Sequence, residues 1–272
     1  MNVTPSIRFA SFLGDNAFEF YRQVTAYLGQ ATGLPTEWVS GLPPDEQEAL
    51  VHQELIQVVF TCGLPYVRKA DHQPPRLRLM AAPVRAASRY QDRPVYFSDI
   101  IVRAKAPYQT FEALRGATFA YNEIHSLSGY LLVCYHLLSL GEGGGFFGKT
   151  IRSGAHATSM DWVEAGLVEA AAIDSVVLDM ELAQHPERAE VFRVIERLGP
   201  APMPPVAAVA GLAENLRQPL TEALLRMHAG QPGQAILSQG GFQRFAAVTD
   251  RDYDPIRHIL QAERLEMNFR LL

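Results

Sequence analysis

The sequence predicts an α/β fold of two lobes, each with a sheet flanked by helices. Strand-like and helix-like segments alternate along nearly the whole chain, which is typical of sheets covered by helices. The alternation continues past the size of one sheet, and 272 residues fit two compact units. With connectors near residues 94–100 and 199–206, the chain is expected to leave the first lobe, build the second and return.

These connectors give the lobe boundaries. Lobe 1 is expected at residues 1–96 plus 204–272, and lobe 2 at residues 97–203. The prolines at 200–205 are the densest cluster in the chain and indicate a stiff connector outside any sheet. Ligands of open α/β sheets bind at the carboxyl ends of strands, so the cleft between the lobes is the expected ligand site.

In the first lobe, apolar β-branched and aromatic runs predict strands, and apolar residues at helical spacing predict helices. Phe20, Val24 and Leu28 lie on one face of a helix over 16–28, which Asp15 or Asn16 would cap. Pro43 precedes acidic residues at the start of a helix over 43–50. The predicted strands are 7–12, 36–39, 58–60 and 77–81.

The same criteria divide the rest of the chain. The predicted strands are 96–102, 118–121, 149–152, 170–173, 192–198 and 206–210. The predicted helices are a short one over 111–116, an apolar one over 128–140, and others over 157–167, around 177–181, over 214–227 and near 255–265.

Composition excludes several classes of protein. With 48% hydrophobic and 19% charged residues, the chain is not disordered. A net charge of -5 and the lack of a Lys/Arg-rich block argue against a nucleic-acid partner. No apolar run is long enough to insert into a membrane, and no signal peptide is expected at the start. Cys62 and Cys134 lack metal-ligand spacing and are interpreted as buried apolar residues, so we expect no metal and no cofactor.

The strongest local signal is the segment 121–130, which follows a strand and opens a helix. Ser126 and Ser128 offer hydroxyl donors, and the free amides of the helix start point the same way. The positive end of the helix dipole adds to them, so the segment can bind an oxyanion without a formal charge. The alternative interpretation is ordinary N-capping by serine.

Two further residues follow strands in the same way. His156 lies between a strand and a helix and could donate to an anion or carry part of its charge, although a lone histidine is more often structural. Asp174 ends a buried strand, which makes it a pocket candidate. The alternative is an N-cap formed by Asp174 or Ser175.

Two catalytic patterns occur but are not favoured. Gly143–Thr150 matches the phosphate-loop pattern G-x-x-x-x-G-K-[ST], yet a helix precedes it and a strand follows, the reverse of what a phosphate loop needs. A Ser/His/Asp triad could be drawn from Ser126 or Ser128, His156 and Asp174, but no G-x-S-x-G elbow is present. We therefore assign no catalytic residue.

An ordered set of motifs resembles the phosphate/phosphite/phosphonate-type substrate-binding proteins of ABC transporters. The similarity runs from about Ile7 to Arg257. The motifs are the segment 96–103, Leu114–Gly116, Tyr121–Glu123 with Ser126-x-Ser128-Gly129-Tyr130, Phe147-Gly148, Ser153-Gly154-x-His156, 171–175 and 252–257.

The resemblance implies a type 2 periplasmic-binding-protein fold: two lobes with mixed sheets, two crossover strands and hinge closure on the ligand. It implies that Ser126, Leu127, Ser128 and Gly129 grip an oxyanion through hydroxyls and amides. Tyr96 would donate its hydroxyl, His156 would close from the neighbouring loop, and Asp174 would face the other end of the ligand. Gly63 and Tyr66 are the weaker candidates from lobe 1.

The functional hypothesis that follows is a solute-binding protein that captures a small, phosphonate-, phosphite- or phosphate-like anion for an ABC permease. It is expected to be a monomer in the periplasm or outside the cell. Leu127 stands where such binders commonly have a further hydroxyl. Because no signal peptide is expected, the alternatives of a cytoplasmic biosynthetic enzyme or a ligand sensor on the same fold remain open.

Overall fold

The alternating strands and helices form two sheets, one in each of two units. The computed structural model describes residues 6–14 and 17–265. The first unit comprises the described residues up to Val95 and Pro202–Tyr253, and the second comprises Tyr96–Ala201 and the described residues from Asp254 on. The chain passes between units within β5 (Val95–Arg103) and at the end of β9 (Phe192–Pro202).

The first unit contains a six-stranded mixed sheet in the order β11-β4-β10-β3-β1-β2. Strand β1 runs parallel to β2 and β3, whereas β10 and β11 run antiparallel to their neighbours. The strands are β1 (Ile7–Ser11), β2 (Thr36–Trp38), β3 (Val58–Phe60), β4 (Leu77–Arg85), β10 (Val206–Val209) and β11 (Phe242–Ala246). The helices are α1 (Phe18–Thr32), α2 (Pro44–His52), α3 (Gly63–Ala70), α7 (Glu214–Arg226) and α8 (Gln231–Gln239).

Helix α1 forms for the reason the sequence indicated. Phe20, Val24 and Leu28, spaced four residues apart, are buried on its inner face. The helix ends at Gly33, which takes the left-handed conformation with φ 71° and donates its amide to the Gly29 carbonyl. The predicted caps Asp15 and Asn16 lie outside the described residues.

The second unit contains a five-stranded sheet in the order β7-β6-β8-β5-β9. Strands β6, β7 and β8 are parallel, and β5 runs antiparallel to β8. Besides β5 and β9, its strands are β6 (Thr118–Tyr121), β7 (Lys149–Arg152) and β8 (Ala170–Asp174). Its helices are α4 (Leu132–Ser139), which continues from a π-helical turn over Leu127–Leu131, α5 (His156–Ala165), α6 (Ser175–Gln184) and α9 (Asp254–Leu265).

Strand β8 holds the centre of the second unit. Its small residues Ala170–Ala172 are fully buried, which lets α5 lie close to the sheet with Met160 and Val163 in the core. A helix packed this closely fixes the position of its first residue relative to the ends of the strands. The burial of α5 therefore determines where His156 lies.

Four segments differ from the expectation. Residues Pro200–Pro202 belong to β9, although the proline cluster was expected outside the sheet. Strand β9 is an edge strand, where a residue without an N–H group is tolerated. Segments α3, α8 and β11 were not predicted from the sequence.

The C-terminal helix also belongs to a different unit than the predicted lobe boundary implies. Residues 204–272 were assigned to lobe 1, but the division places α9 with the second unit. Helix α9 packs near α4, and its apolar residues Ile256, Ile259 and Leu260 are buried. Burial of this amphipathic face, which the lobe prediction did not take into account, accounts for the difference.

No helix among residues 6–14 and 17–265 is long and apolar enough to cross a membrane. The two cysteines do not form a disulfide: Cys134 is buried, as predicted, whereas Cys62, also predicted to be buried, is half-buried.

Candidate oxyanion site

The candidate residues of the second unit meet at one edge of its sheet. Strands β6, β7 and β8 are parallel, so their carboxyl ends lie at the same edge, and the helices that follow all begin there. Strand β5 runs the opposite way and begins at this edge, with Ser98 paired to Asp174. The topology therefore brings Tyr96, Ser126–Gly129, His156 and Asp174 to one edge.

The segment after β6 forms a capped helix start. Ser126 is the N-cap residue, and its Oγ accepts a hydrogen bond from the Gly129 amide at 3.0 Å. The first intrahelical bonds come from the amides of Tyr130 and Leu131 to the Ser126 carbonyl. The amides of Leu127 and Ser128 precede these bonds, in the first turn, where the dipole is positive. Capping of this helix by serine, the alternative interpretation, is therefore present, and the Ser126 hydroxyl proton is still available to a ligand.

Gly129 is required by a close approach. A Cβ atom at this position would lie 1.8 Å from Asn122 Oδ1 and 3.1 Å from Ser126 Oγ. The Asn122 side chain thus lies directly against the first helical turn. A glycine here lets the residues after β6 and the helix start share a small volume.

The backbone of Ser128 is tied to β5. Its carbonyl accepts a hydrogen bond of 2.6 Å from Ser98 Oγ on β5, and both serines are buried. Its own Oγ lies 3.4 Å from His156 Nε2. Ser98 thus fixes the backbone of Ser128, and Ser128 in turn contacts the imidazole.

The start of α5 is tied to the end of β6. The amides of Ser153 and Gly154 donate to the carbonyls of Tyr121 and Asn122 at 2.8 and 3.0 Å, which extends the β6–β7 pairing past the strands. Ser153 Oγ also lies 2.6 Å from the buried Ser159 Oγ. These bonds hold the loop before His156 beside the loop before Ser126, so two helix starts converge.

The surroundings of His156 keep its ring neutral. Burial lowers its pKa from the ordinary value of 6.5 to about 4, and the backbone of Ala172 opposes this only in part. At neutral pH the imidazole therefore acts as a hydrogen-bonding group. That it donates to a bound anion or carries part of its charge stays a prediction.

Asp174 caps a helix. Its Oδ1 accepts hydrogen bonds from the amides of Val176 and Val177 at 2.8 and 3.4 Å, which is the capping alternative of the sequence analysis. Next to it, Ser175 Oγ accepts from the Phe97 amide at 3.0 Å and joins the start of α6 to β5. Tyr96 lies in the same stretch of β5 and is buried.

The two candidates of the first unit lie at the start of α3. Gly63 is its buried first residue. The Tyr66 hydroxyl donates to Asp250 Oδ1 at 2.7 Å, and its ring packs against Tyr253 with centroids 4.9 Å apart. The hydroxyl of Tyr66 is thus held by a carboxylate of its own unit.

Sequence reasoning missed three supporting residues. All three lie inside motifs that were quoted, but no role was assigned to them. Ser98 bonds to Ser128 and Ser153 to Tyr121, 30 and 32 residues away, and the Asn122 carbonyl accepts from the Gly154 amide. Only the parallel pairing of β6 with β7 and the antiparallel position of β5 bring these partners together. The only sequence signal for these supporting residues was that each has a hydroxyl or amide side chain and lies close to the end of a predicted strand.

The catalytic patterns are not supported by this arrangement. The phosphate-loop-like run is followed by β7 and not by a helix. Gly148 serves packing, because a Cβ there would lie 2.3 Å from the Gly116 carbonyl oxygen. A carboxylate partner would raise the pKa of His156, whereas that pKa is low, so the ring lacks the signature of a triad base.

Two cavities lie away from these residues. One of about 650 Å³ in the first unit is bordered by α2, by Lys69 of α3 and by the start of β4. The other, of about 370 Å³ in the second unit, lies between α4, β9 and α9. Neither is lined by a residue predicted for the site. In the described part of the chain, no group of three or more His, Cys, Asp or Glu side chains could hold a metal ion.

The model of one protein family matches residues 9–253, nearly the whole chain; its description is ABC transporter, phosphonate, periplasmic substrate-binding protein. The chain belongs to this family. The resemblance inferred from the ordered motifs is thereby confirmed, and with it the class of function: the substrate-binding component of an ABC transporter. No curated protein matches the sequence of this phosphonate-family binding protein.

Solved structures share the fold of this phosphonate-family protein. A binding protein component of an ABC phosphonate transporter from Pseudomonas aeruginosa is 18% identical, with a TM-score of 0.81 over 96% of this chain and 87% of that one. PhnD1 from Prochlorococcus marinus, in complex with methylphosphonate, is 17% identical, with a TM-score of 0.80 over 95% and 98%. XAC2383 from Xanthomonas citri, bound to ATP, is 17% identical, with a TM-score of 0.75 over 97% and 100%. These likenesses confirm the predicted fold class of the two-lobed periplasmic binding proteins.

Proposed function

We propose that the chain binds a small phosphonate or a related tetrahedral oxyanion at the start of the helix over residues 127–139, for delivery to an ABC permease. One observation carries this proposal: a capped first turn, a buried serine and a neutral histidine lie together at the carboxyl edge of one sheet. The family supplies the class of ligand.

The donors in this arrangement suit an anion. The amides of Leu127 and Ser128 and the hydroxyl protons of Ser126 and Ser128 can each donate to an anionic oxygen. The helix dipole favours negative charge at this end, and the neutral His156 ring can supply a further hydrogen bond. Recognition by dipoles and hydrogen bonds avoids burying a counter-charge, which would be costly when the ligand leaves.

The remaining predicted residues have assigned places in this proposal. Tyr96 lies on β5, two residues before Ser98, and Asp174 holds the start of α6 as its cap. Leu127 is buried, and its side chain has no hydrogen-bond donor. A hydroxyl-bearing residue at that position would have offered the ligand one more hydrogen bond. The interlobe cleft, and Gly63 and Tyr66 as ligand contacts of the first unit, stay predictions.

The test is a calorimetric titration of methylphosphonate into the wild type and two serine variants. Ser128→Ala removes a donor and the contact with His156, and we expect affinity to fall at least about tenfold, as for a lost hydrogen bond to a charged group. Ser238→Ala, on the exposed face of α8 in the first unit, is the matched control and should leave affinity unchanged. If neither methylphosphonate nor inorganic phosphate binds the wild type, the proposed function is wrong.

A phosphate ester is the second candidate ligand. The ATP bound to the Xanthomonas citri protein favours it, since a terminal phosphate offers the same oxygens as a phosphonate. Separate calorimetric titrations of ATP and of methylphosphonate into the wild type distinguish the two ligands. A preference of more than tenfold for ATP would assign this chain to nucleotide recognition.

The finer features of a transport role are also proposals. A monomer that acts in the periplasm and docks on a permease fits a family of transporter solute-binding proteins. Because the family is one of transporter solute-binding proteins, neither the enzyme nor the sensor alternative is favoured. Gel filtration with light scattering tests the monomer: a mass near 30.1 kDa is expected, and a mass near twice that value would contradict it.

A further inference from the structure

The His156 imidazole lies next to the proposed oxyanion site and is buried, which disfavours a positive charge on the ring. Its Nε2 lies 3.4 Å from Ser128 Oγ, and burial keeps its pKa near 4. His156 is the first residue of α5, and Ser128 lies in the first turn of the neighbouring helix. Both amino-terminal ends carry the positive end of a helix dipole, which also opposes protonation of the ring.

Several charged side chains on the surrounding elements form ion pairs or cap helices. Glu123 and Arg152, after β6 and in β7, form an ion pair of 2.5 Å, Asp174 caps α6, and Asp161 of α5 pairs with Arg188. The other titratable groups on these elements and on the helix over 127–139 are Tyr96, Asp99, Arg103, Tyr121, His125, Tyr130, Cys134, Tyr135, His136, Lys149, Glu164, Asp179 and Glu181. The pKa of His156 follows from burial and the Ala172 backbone, so no neighbouring carboxylate controls its protonation.

We propose that anion binding at this site is coupled to the uptake of one proton by His156, so that the site binds small oxyanions more tightly as the pH falls below neutral. The inference rests on the proposed function and adds a pH dependence to it. An oxyanion on the Ser128 hydroxyl brings negative charge within ~6 Å of the imidazole, where we expect it to favour the charged form by about 2 pKa units. The protonated ring then donates from both nitrogens and adds a charge-assisted hydrogen bond.

The coupling can be counted in protons. Methylphosphonate is titrated calorimetrically into the wild type and His156→Gln at pH 7.5 and pH 5.5, in paired buffers with different heats of ionisation. The ligand's own protonation contributes equally to both proteins, so the difference between them isolates residue 156. At pH 5.5 the wild type should take up at least about half a proton more per ligand than the variant. The ratio of wild-type to variant affinity should rise about three- to tenfold between pH 7.5 and pH 5.5.

A second measurement needs no binding by the variant. The ring signal of His156 in the wild type is assigned by its loss in His156→Gln and titrated by NMR with and without saturating methylphosphonate. The midpoint should rise by about 1.5 pH units or more with ligand, while exposed His72 of the first unit serves as an internal reference.

The outcomes separate the two proposals. Equal proton counts in the two proteins, or a His156 midpoint that the ligand does not move, overturns the coupling and leaves the binding function standing. A wild type that binds neither methylphosphonate nor inorganic phosphate removes the binding function, and the coupling with it.

Discussion

In the candidate site, the position of Gly129 leaves no room for a side chain. A Cβ at Gly129 would overlap Asn122 Oδ1 at 1.8 Å. We expect Gly129→Ala to lower the free energy of unfolding by about 1–3 kcal/mol, a typical cost of overpacking, and to weaken anion binding by displacing the first turn. Chemical denaturation and calorimetry measure the two effects.

Two further variants test this explanation. Asn122→Ala combined with Gly129→Ala removes the overlapping atom and should recover most of the lost stability. Gly230→Ala is the matched control, since its nearest contact would be 3.9 Å away and its φ of −120° suits alanine. A double variant as unstable as Gly129→Ala alone would show that Asn122 is not the obstacle.

The depressed pKa of His156 also predicts how stability depends on pH. The ring binds a proton near pH 4 in the folded chain and near pH 6.5 when unfolded. Between these values the unfolded chain binds more protons, so this residue makes stability fall as the pH decreases from 6.5 towards 4. The loss should be about 1–3 kcal/mol, and His156→Gln should remove it.

Urea denaturation of both proteins at a series of pH values measures this difference. The variant should lose less stability than the wild type between pH 6.5 and pH 4, and the two curves should run parallel above pH 7. Parallel curves over the whole range would mean that the folded ring titrates normally.

At the scale of elements, one serine joins β5 to the helix start. Ser98 is fully buried and donates to the Ser128 carbonyl at 2.6 Å. Ser98→Ala leaves that carbonyl without its donor, and we expect a loss of about 1–2 kcal/mol in stability together with weaker methylphosphonate binding. Ser238→Ala on α8 provides the comparison for both readouts. Unchanged binding in Ser98→Ala would show that β5 does not position Ser128.

A second connection holds the two helices beside the site. The guanidinium of Arg188 is mostly buried and pairs with Asp161 and Glu164 of α5 and with Glu181 of α6 at 2.6–2.8 Å. Arg188→Met leaves three carboxylates without their shared cation, and thermal unfolding should show a loss of about 1–3 kcal/mol.

The comparison for Arg188 is an exposed ion pair. Arg22 and Glu19 of α1 are both solvated, and Arg22→Met should change the melting temperature little. Arg188→Lys should recover only part of the loss, because an ammonium cannot present the planar fork of a guanidinium. Equal effects of the Arg188 and Arg22 substitutions would remove the case for a special role of this network.

Periodicity predicted most elements, because the burial of apolar faces selects both the period and the fold. It failed where tertiary context decides the structure. Pro200–Pro202 lie in an edge strand, which tolerates proline, and Gly63–Ala70 forms a short helix that was not predicted. For the site, the sequence indicated Ser126, Ser128 and His156. Their connection through Ser98 and Ser153 depends on strand order, which no local pattern encodes.

At the scale of the whole molecule, the order of the chain explains its division into two units. The first unit is built from both ends of the sheet-forming sequence, and the segment between β5 and β9 forms the second. The sequence indicated this excursion through its connectors. It did not indicate that α9 joins the second unit. That assignment depends on where Ile256, Ile259 and Leu260 are buried, which the sequence alone does not specify.

The most direct measurement is a crystal structure of the protein with bound methylphosphonate. The proposal predicts phosphonate oxygens about 2.7–3.1 Å from the amides of Leu127 and Ser128 and from the Ser128 hydroxyl, with His156 in contact with the anion. Methylphosphonate bound elsewhere, with the first turn of that helix out of reach, would contradict it.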